Sequence, residues 1–344
     1  MRLAKTKRAE LIRRFLLNAV TADNTQLIHD AVETFNVSRQ AIHGHLTALV
    51  NMGYLIAEGK TRARTYRLGS HRTQCDVFQL EGLQEGDVYS RNFKFIFSGL
   101  PDRLEDICHY GFTEMLNNAI DHSCGKTVRI DVERTDQEIE IRILDDGEGI
   151  FNHIARMMNL IDPRESILEL SKGKLTTDPE NHSGQGIFFT SRVFDAFYIY
   201  SADLIFTHND GDTEDFLLHN ENIHTGTQVY MRIALDSEKN LKTVFDDFTG
   251  NEDEDFAFNT TIVPVKLALY EGERLVSRSQ AKRILCRVER FKTVLLDFRG
   301  VDYIGQAFAD EVFRVFANRN PQISLIPTNA NDQISQMIQS VKSS

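Results

Sequence analysis

The sequence predicts an α+β multidomain chain. Three observations carry that reading. Residues 1–70 show apolar positions at helical spacing three times, followed by two short strand-like runs. Residues 93–235 combine a polar-faced helix, an amphipathic hairpin and two glycine-rich turns. Residues 255–344 alternate strand and helix three times, the pattern of a small α/β unit.

The first helix covers Thr6 to Val20, with Leu11, Ile12, Phe15, Leu16 and Val20 on one face. The second covers Asn24 to Phe35, with Leu27, Ile28, Ala31, Val32 and Phe35 turned inward. After the turn Asn36-Val37-Ser38, a third helix begins on Ser38, a favoured N-cap residue, and stops near Gly53. Its apolar face is Ile42, Leu46, Leu49 and Val50. Residues 54–68 read as two strands around a Gly59-Lys60 turn.

Charge sets this segment apart. Residues 1–72 hold twelve Lys and Arg against five Asp and Glu, about +7, while the whole chain is −11, which leaves about −18 for the remainder. A basic module on an acidic body points to nucleic acid. The stretch VSRQAIHGHLTALVNMGYLIAEGKTRARTYRL, residues 37–68, resembles the recognition helix and wing of a winged helix-turn-helix. The resemblance implies that Ser38, Arg39, Gln40, His43 and His45 face a DNA major groove, with Lys60, Arg62 and Arg64 along a phosphate backbone. Double-stranded DNA is therefore an expected partner.

Composition bounds the remaining classes. With 344 residues there is room for two or three domains. The hydrophobic fraction of 41% and charged fraction of 26% are those of a globular protein. No apolar run approaches the ~18 residues of a membrane helix. The N-terminus is basic and lacks the apolar core of a signal peptide. A cytoplasmic location without membrane contact is expected. Cys75, Cys108, Cys124 and Cys286 are scattered, without a CxxC pair, and read as reduced structural thiols.

Residues 71–92 read as a linker ending in a strand, and 93–235 as the central domain. A helix from Arg103 to His122 places Glu114, Asn118 and Asp121 on one face, at i, i+4 and i+7. A carboxylate on such a face can orient and deprotonate a water near a nucleotide γ-phosphate. An amide oxygen such as that of Asn118 suits Mg²⁺, which takes oxygen ligands and keeps several waters. Two alternating strands follow, Val128–Arg134 and Glu138–Leu144. Asp145 then closes the second strand, where a buried carboxylate can accept a hydrogen bond from an adenine amino group. Gly147 and Gly149 let the backbone come close to a base. Ser183-Gly184-Gln-Gly186 precedes a helical run, Phe188–Phe197, and exposes backbone N–H groups suited to phosphates. The long stretch 151–183 reads as irregular, a lid over the nucleotide, with Arg156, Lys172, Lys174 and His182 as cations.

Together these elements resemble the Bergerat-fold ATPase domain of the GHKL group, an α/β sandwich shared by histidine kinases, DNA gyrase B, Hsp90, MutL and anti-sigma factor serine kinases. The N box, ExxxNAxD, matches Glu114, Asn118, Ala119 and Asp121. The DxGxG box matches Asp145, Gly147 and Gly149, and the GxG box matches Gly184 and Gly186. A strand carrying Gly226-Thr227 fits the family's last element. The resemblance implies ATP and Mg²⁺ as ligands. It implies adenine contacts from Asp145 and Thr227, Mg²⁺ held by Asn118, and Glu114 as general base where ATP is hydrolysed. Histidine kinases carry a phosphoacceptor His on a helical hairpin before this domain. Here a winged helix and a strand stand in that place, which argues against autophosphorylation on His.

Residues 236–254 read as an acidic connector. In 255–344 the expected strands are Thr260–Ala268, Thr293–Phe298 and Ile323–Ile326, and the helices Ser277–Arg290, Ala307–Asn318 and Asp332–Val341. The stretch from Val294 to Asp310 is similar to the central strand and loop of STAS domains, and to a STAS-like domain of unknown function that follows such ATPase domains in bacteria. STAS antagonists carry a phosphorylatable Ser at the strand–helix junction. This chain has Gly305-Gln306-Ala307 there, so a docking module is expected in place of a phospho-switch.

The combined expectation is a cytoplasmic regulator that binds ATP and Mg²⁺, hydrolyses ATP slowly, and uses the nucleotide to gate contacts among its domains or with a second subunit or protein partner. Two alternatives stand beside it. One is a serine protein kinase acting on a separate partner, in the manner of the anti-sigma kinases. The other is a non-catalytic nucleotide-binding scaffold.

Overall fold

The computed structural model describes residues 2–22, 25–59, 64–160, 162–174, 184–209, 216–249, 259–269 and 273–343, with the side chains of 2–7, 10 and 216–224 left aside. Helices α1 (Arg2–Thr21), α2 (Leu27–Phe35) and α3 (Arg39–Asn51) pack on Leu16, Ala31, Ile42 and Leu46, which are fully buried. Ser38 caps α3 as its residue type predicts, its Oγ accepting from Ala41 N at 3.2 Å. Strands β1 (Leu55–Glu58) and β2 (Thr65–Leu68) pair antiparallel, Leu55 opposite Leu68.

The second unit is an antiparallel sheet of five strands in the order β3-β4-β5-β7-β6, built from Arg72–Gln79, Thr127–Arg134, Glu138–Asp145, Phe216–Ala234 and Ala196–Asn209 respectively. Alternation decides its inner face. Val128, Ile130 and Val132 of β4 and Ile139, Ile141 and Ile143 of β5 are buried, while the residues between them are not, and Asp145 continues the buried set of β5. Helix α6 (Asp102–His122) lies on that face through Leu104, Ile107, Phe112 and Met115. Helices α7 (Ile150–Met158), α8 (Glu165–Lys172) and α9 (Gly186–Val193) follow along the chain.

The third unit is a parallel sheet ordered β10-β9-β8, from Ser324–Thr328, Thr293–Asp297 and Thr260–Pro264. Helices α11 (Arg278–Leu285), α12 (Gln306–Asp310), α13 (Ala317–Arg319) and α14 (Asp332–Lys342) accompany it, and a π-helical stretch joins α12 to α13. The expected alternation is present. The first strand stops at Pro264, where a 3₁₀ turn begins at Val265. Among the described residues, no helix is long and apolar enough to cross a membrane.

Four expectations need correction. Residues 71–92 are not a linker. They supply the edge strand β3, paired to β4 from Arg72 opposite Arg134 to Gln79 opposite Thr127. The helical turns α4 (Glu85–Val88) and α5 (Lys94–Phe97) follow, joined by a π turn. The described part of 151–183 is helical, because Phe151, Ile154 and Ala155 make an apolar stripe in α7 and α8 is buried throughout; residues 175–183, with His182, lie outside the described residues. The helical run expected over Phe188–Phe197 ends at Val193, since Phe197 and Ile199 already alternate with Tyr198 and Tyr200 in β6. The acidic connector holds a docked helix, α10 (Leu241–Phe248). Its Phe245 stacks on Phe189 with ring centroids 4.0 Å apart, and Phe248 meets Phe188 edge-on.

Arg72 fixes the start of β3. Its buried guanidinium donates to the carbonyls of Gly69, Phe95, Ile96 and Ser98, at 2.8, 2.9, 3.2 and 2.6 Å. Arg134 reaches Ile96 and Ser98 as well. Two cations thus cover the last carbonyls of α5, the end that a helix dipole makes negative. Burial, with Arg134 alongside, lowers the Arg72 pKa to about 10. Arg72→Met should destabilise the chain by about 2–4 kcal/mol, because it strands buried carbonyls. Urea unfolding followed by circular dichroism measures this, and a loss below ~0.5 kcal/mol would remove the assigned role.

Candidate functional site

Asp145 ends β5 as a buried carboxylate. Its Oδ1 accepts from the backbone N–H of Gly147 at 2.9 Å and of Thr227 at 3.1 Å. A carboxylate offers about four acceptor positions, so both bonds on one oxygen leave capacity for a ligand donor. Burial raises the Asp145 pKa, and those two backbone bonds pull against the rise. Thr227 is also buried, and its Oγ1 accepts from Ile150 N at 2.9 Å. Asp145, Gly147, Ile150 and Thr227 therefore form one hydrogen-bonded ring of contacts.

Glycine is needed where these segments meet. Gly149 has φ +87 and Gly226 has φ +80, conformations that favour glycine. A Cβ at Gly226 would lie 2.0 Å from the Asp145 carbonyl oxygen, and one at Gly149 would lie 2.4 Å from Ser201 Oγ. At Gly147, a Cβ would lie 1.9 Å from the Ser123 carbonyl oxygen, at the end of α6. The loop after β5 is thereby packed onto the helix that carries Glu114 and Asn118.

The phosphate-side elements also converge. A Cβ at Gly186 would lie 2.0 Å from Glu114 Oε2, which puts that carboxylate against the first turn of α9. A helix N-terminus favours negative charge there. Gly184, with φ +68, turns the chain into α9. Asn118 is half-buried on α6, its Nδ2 against Met115 Sδ at 3.9 Å. Asp121 lies on the last turn of α6 and is exposed. The structure thus draws Asp145, Gly147, Gly149 and Thr227 into one corner and Glu114, Gly184 and Gly186 into another, with α6 running between them.

Ser201 and Gly226 belong to this corner although the sequence pattern did not single them out as site residues. Ser201 is fully buried, and its Oγ has no hydrogen-bond partner among the described residues. A buried hydroxyl without a partner is costly, so a ligand donor or acceptor at this place has something to satisfy. In sequence Ser201 is one inward position of a strand and nothing more. Gly226 was visible only as the neighbour of Thr227.

The cations behave differently. Arg156 donates to Glu148 Oε1 at 2.6 Å, and His153 Nδ1 lies 2.6 Å from the same oxygen. Arg156 first and His153 second hold the Glu148 pKa down at about 2. Cys124 joins Glu148 and His153 with ligand atoms within 4.8 Å of one another, a cluster that the sequence spacing hid because three segments build it. Arg156 already neutralises the carboxylate there. Lys172 and Lys174 point away from the candidate site, to carbonyl groups of residues 283–290.

On the N-terminal module, Ser38, Arg39, Gln40 and His43 are exposed along the start of α3, and Arg64 is exposed before β2. His45 is half-buried, and burial, with Arg13 nearby, lowers its pKa. Lys60 and Arg62 lie outside the described residues.

Comparisons with known proteins agree with two of these units. Residues 94–204 match a family model described as histidine kinase-like ATPase domain. Residues 280–335 match one described as STAS-like domain of unknown function. The N-terminal module lies outside both matches. A comparison with curated proteins returns no match.

The chain therefore contains a histidine kinase-like ATPase domain, and nucleotide binding follows from it in coarse terms. On the expectation that this corner takes adenine, the buried carboxylate of Asp145 is the acceptor to test. Asp145→Asn should weaken binding of a fluorescent ATP analogue about tenfold or more, by loss of a charged acceptor. The raised Asp145 pKa adds a pH signature. Affinity should fall on acidification at a pH above the ordinary aspartate midpoint of about 3.9, as the ionised acceptor is lost. The asparagine variant should lack that step. Equal affinity in the two proteins would end the assignment of Asp145.

Proposed function

We propose that the chain is an ATP-dependent regulator: it binds ATP with Mg²⁺, hydrolyses it slowly, and uses an N-terminal DNA-binding module in the cytoplasm. The observation that supports this most is the pair of corners flanking α6, Asp145 with Thr227 on one side and Glu114 against α9 on the other. One corner suits a base and the other a polyphosphate.

Bound Mg-ATP supplies the reactive γ-phosphoryl group, and the chain's residues do the rest. Asp145 accepts the adenine amino group, with Thr227 beside it. The backbone N–H groups at the start of α9 take phosphate oxygens. The Asn118 amide oxygen would hold Mg²⁺, which would supply charge to offset the phosphates. Glu114 removes a proton from the attacking water. Asp121, exposed at the end of α6, reaches the nucleotide only through solvent.

For DNA, the exposed start of α3 supports insertion in a major groove through Ser38, Arg39, Gln40 and His43. Arg64, with Lys60 and Arg62 next to it in sequence, follows the phosphates. The balance of about +7 over residues 1–72 adds a sequence-independent attraction. ATP then gates contacts among the units, or with a second subunit or partner.

Glu114→Ala should keep nucleotide binding and lower turnover about 100-fold or more, the scale of a lost general base. Turnover that persists in this variant excludes Glu114 as the base. Hydrolysis measured with and without double-stranded DNA should differ, and identical rates would uncouple the module from the site. Incubation with γ-labelled ATP and cell extract separates the readings further. Free phosphate alone supports the ATPase, and a labelled partner protein favours the serine kinase.

A further inference from the structure

Helix α8 has the sequence ESILELSK, whose charges and serines suggest an outer surface. Instead, all seven residues from Ser166 to Lys172 are buried. Two of them, Glu169 and Lys172, are ionisable, and buried charges persist only where they are paired and hydrogen-bonded. The partners come from the C-terminal unit.

Lys172 Nζ donates to Glu169 Oε1 at 2.7 Å, to the Cys286 carbonyl at 2.9 Å and to the Arg283 carbonyl at 3.2 Å. Its three protons are therefore all used. Both carbonyls lie at the end of α11, so a lysine of one unit caps a helix of the other, where the dipole favours a cation. Glu169 Oε2 accepts from Arg287 Nη1 at 3.2 Å. The Lys172 carbonyl accepts from Thr261 Oγ1 of β8 at 2.5 Å. Arg283 lies 3.4 Å from Glu165 at the other end of α8. Just past α8, Lys174 donates to the Arg290 carbonyl at 2.9 Å and lies over the Phe291 ring.

The other side of α8 leans on both corners of the candidate site. Ser166 Oγ donates to the Phe151 carbonyl at 2.8 Å, in the first turn of α7. That helix starts at Ile150, whose N–H is bonded to Thr227. Helix α8 also packs on α9, which begins at Gly186 beside Glu114.

We propose that the C-terminal unit positions the nucleotide site through α8, with Lys172, Glu169 and Arg287 as positioning residues and Thr261 as their neutral support. The inference rests on the nucleotide-binding reading of the central domain. The coupling is reciprocal: whatever shifts the C-terminal unit shifts nucleotide affinity, and nucleotide binding tightens the α8–α11 contact.

The test uses the full chain and a fluorescent ATP analogue with Mg²⁺. Lys172→Met and Arg287→Ala should each raise the Kd at least fivefold, and the double variant should cost less than the product of the two. Thr261→Val, which removes one hydroxyl from a neutral site, should raise it about twofold. Hydrogen exchange supplies a readout that a merely structural role would not move. The nucleotide should slow exchange of α11 amides in the wild-type chain, and should fail to do so in Lys172→Met. Where Lys172→Met does not fold, Thr261→Val decides by the same two measurements. Wild-type binding with unchanged affinity in the folded variants, or α11 exchange indifferent to nucleotide, overturns the inference and leaves the nucleotide reading standing. A wild-type chain that binds no nucleotide overturns both.

Discussion

The pair of hydrogen bonds that Asp145 Oδ1 accepts from the backbone N–H groups of Gly147 and Thr227 is the constraint on which the site depends. It joins the end of β5 to the Gly226-Thr227 stretch of β7, and so fixes where the loop after β5 leaves the sheet. From there the loop must press on Ser123 at the end of α6, which excludes any side chain at 147. The same anchor sets the start of α7, because Ile150 N is committed to Thr227. Desolvating a carboxylate is costly, and here backbone donors offset part of that cost.

Helix α6 turns that anchor into a two-ended site. One end holds Ser123 against the loop after β5, and two turns back Glu114 meets the start of α9. The distance between the two corners is thereby set by helical rise. The apolar half of α6, through Ile107, Phe112 and Met115, keeps it on the sheet. The stripe with Glu114 and Asn118 borders the packing face, for Ile107 is buried two turns before Glu114 and Asn118 is half-buried against Met115.

Much of this was legible in the sequence because its signals are local. Ser38 as a cap, the alternation in β4 and β5, and the glycines around the candidate site act within a few residues of themselves. What could not be read was decided at a distance. Strand β3 has exposed Cys75, Val77 and Gln79 on one side, as edge strands do, and its partner β4 lies some fifty residues on, at Thr127–Arg134. In α10, Phe245 and Phe248 are flanked by Asp246 and Asp247, so the acidic composition masked the two rings that dock it. Ser201 carries no sequence signal, since one inward serine in a strand means nothing without the glycine that faces it. Helix α8 misleads most, because its buried Lys172–Glu169 pair is completed by Arg287 and by carbonyls more than a hundred residues away.

The two joints of the chain differ in kind. At the C-terminal joint, Lys172 and Glu169 are almost wholly shielded from water and every proton of the ammonium has an acceptor. Removing one member leaves the other charged and buried, so this contact resists separation. At the N-terminal joint, Arg14 meets Asp76 of β3 at 2.8 Å with both side chains about a quarter exposed, and Asn92 shares the same carboxylate. A pair that water reaches contributes about 1 kcal/mol or less and weakens with salt. Asp76 lies on the edge strand farthest from β6, not on the strands that carry Asp145 and Thr227. The stiff joint therefore reaches α7 and α9 through α8, and the soft pair lies on the edge strand β3. The N-terminal unit is thus held by a pair that water reaches, and the C-terminal unit by one that it does not.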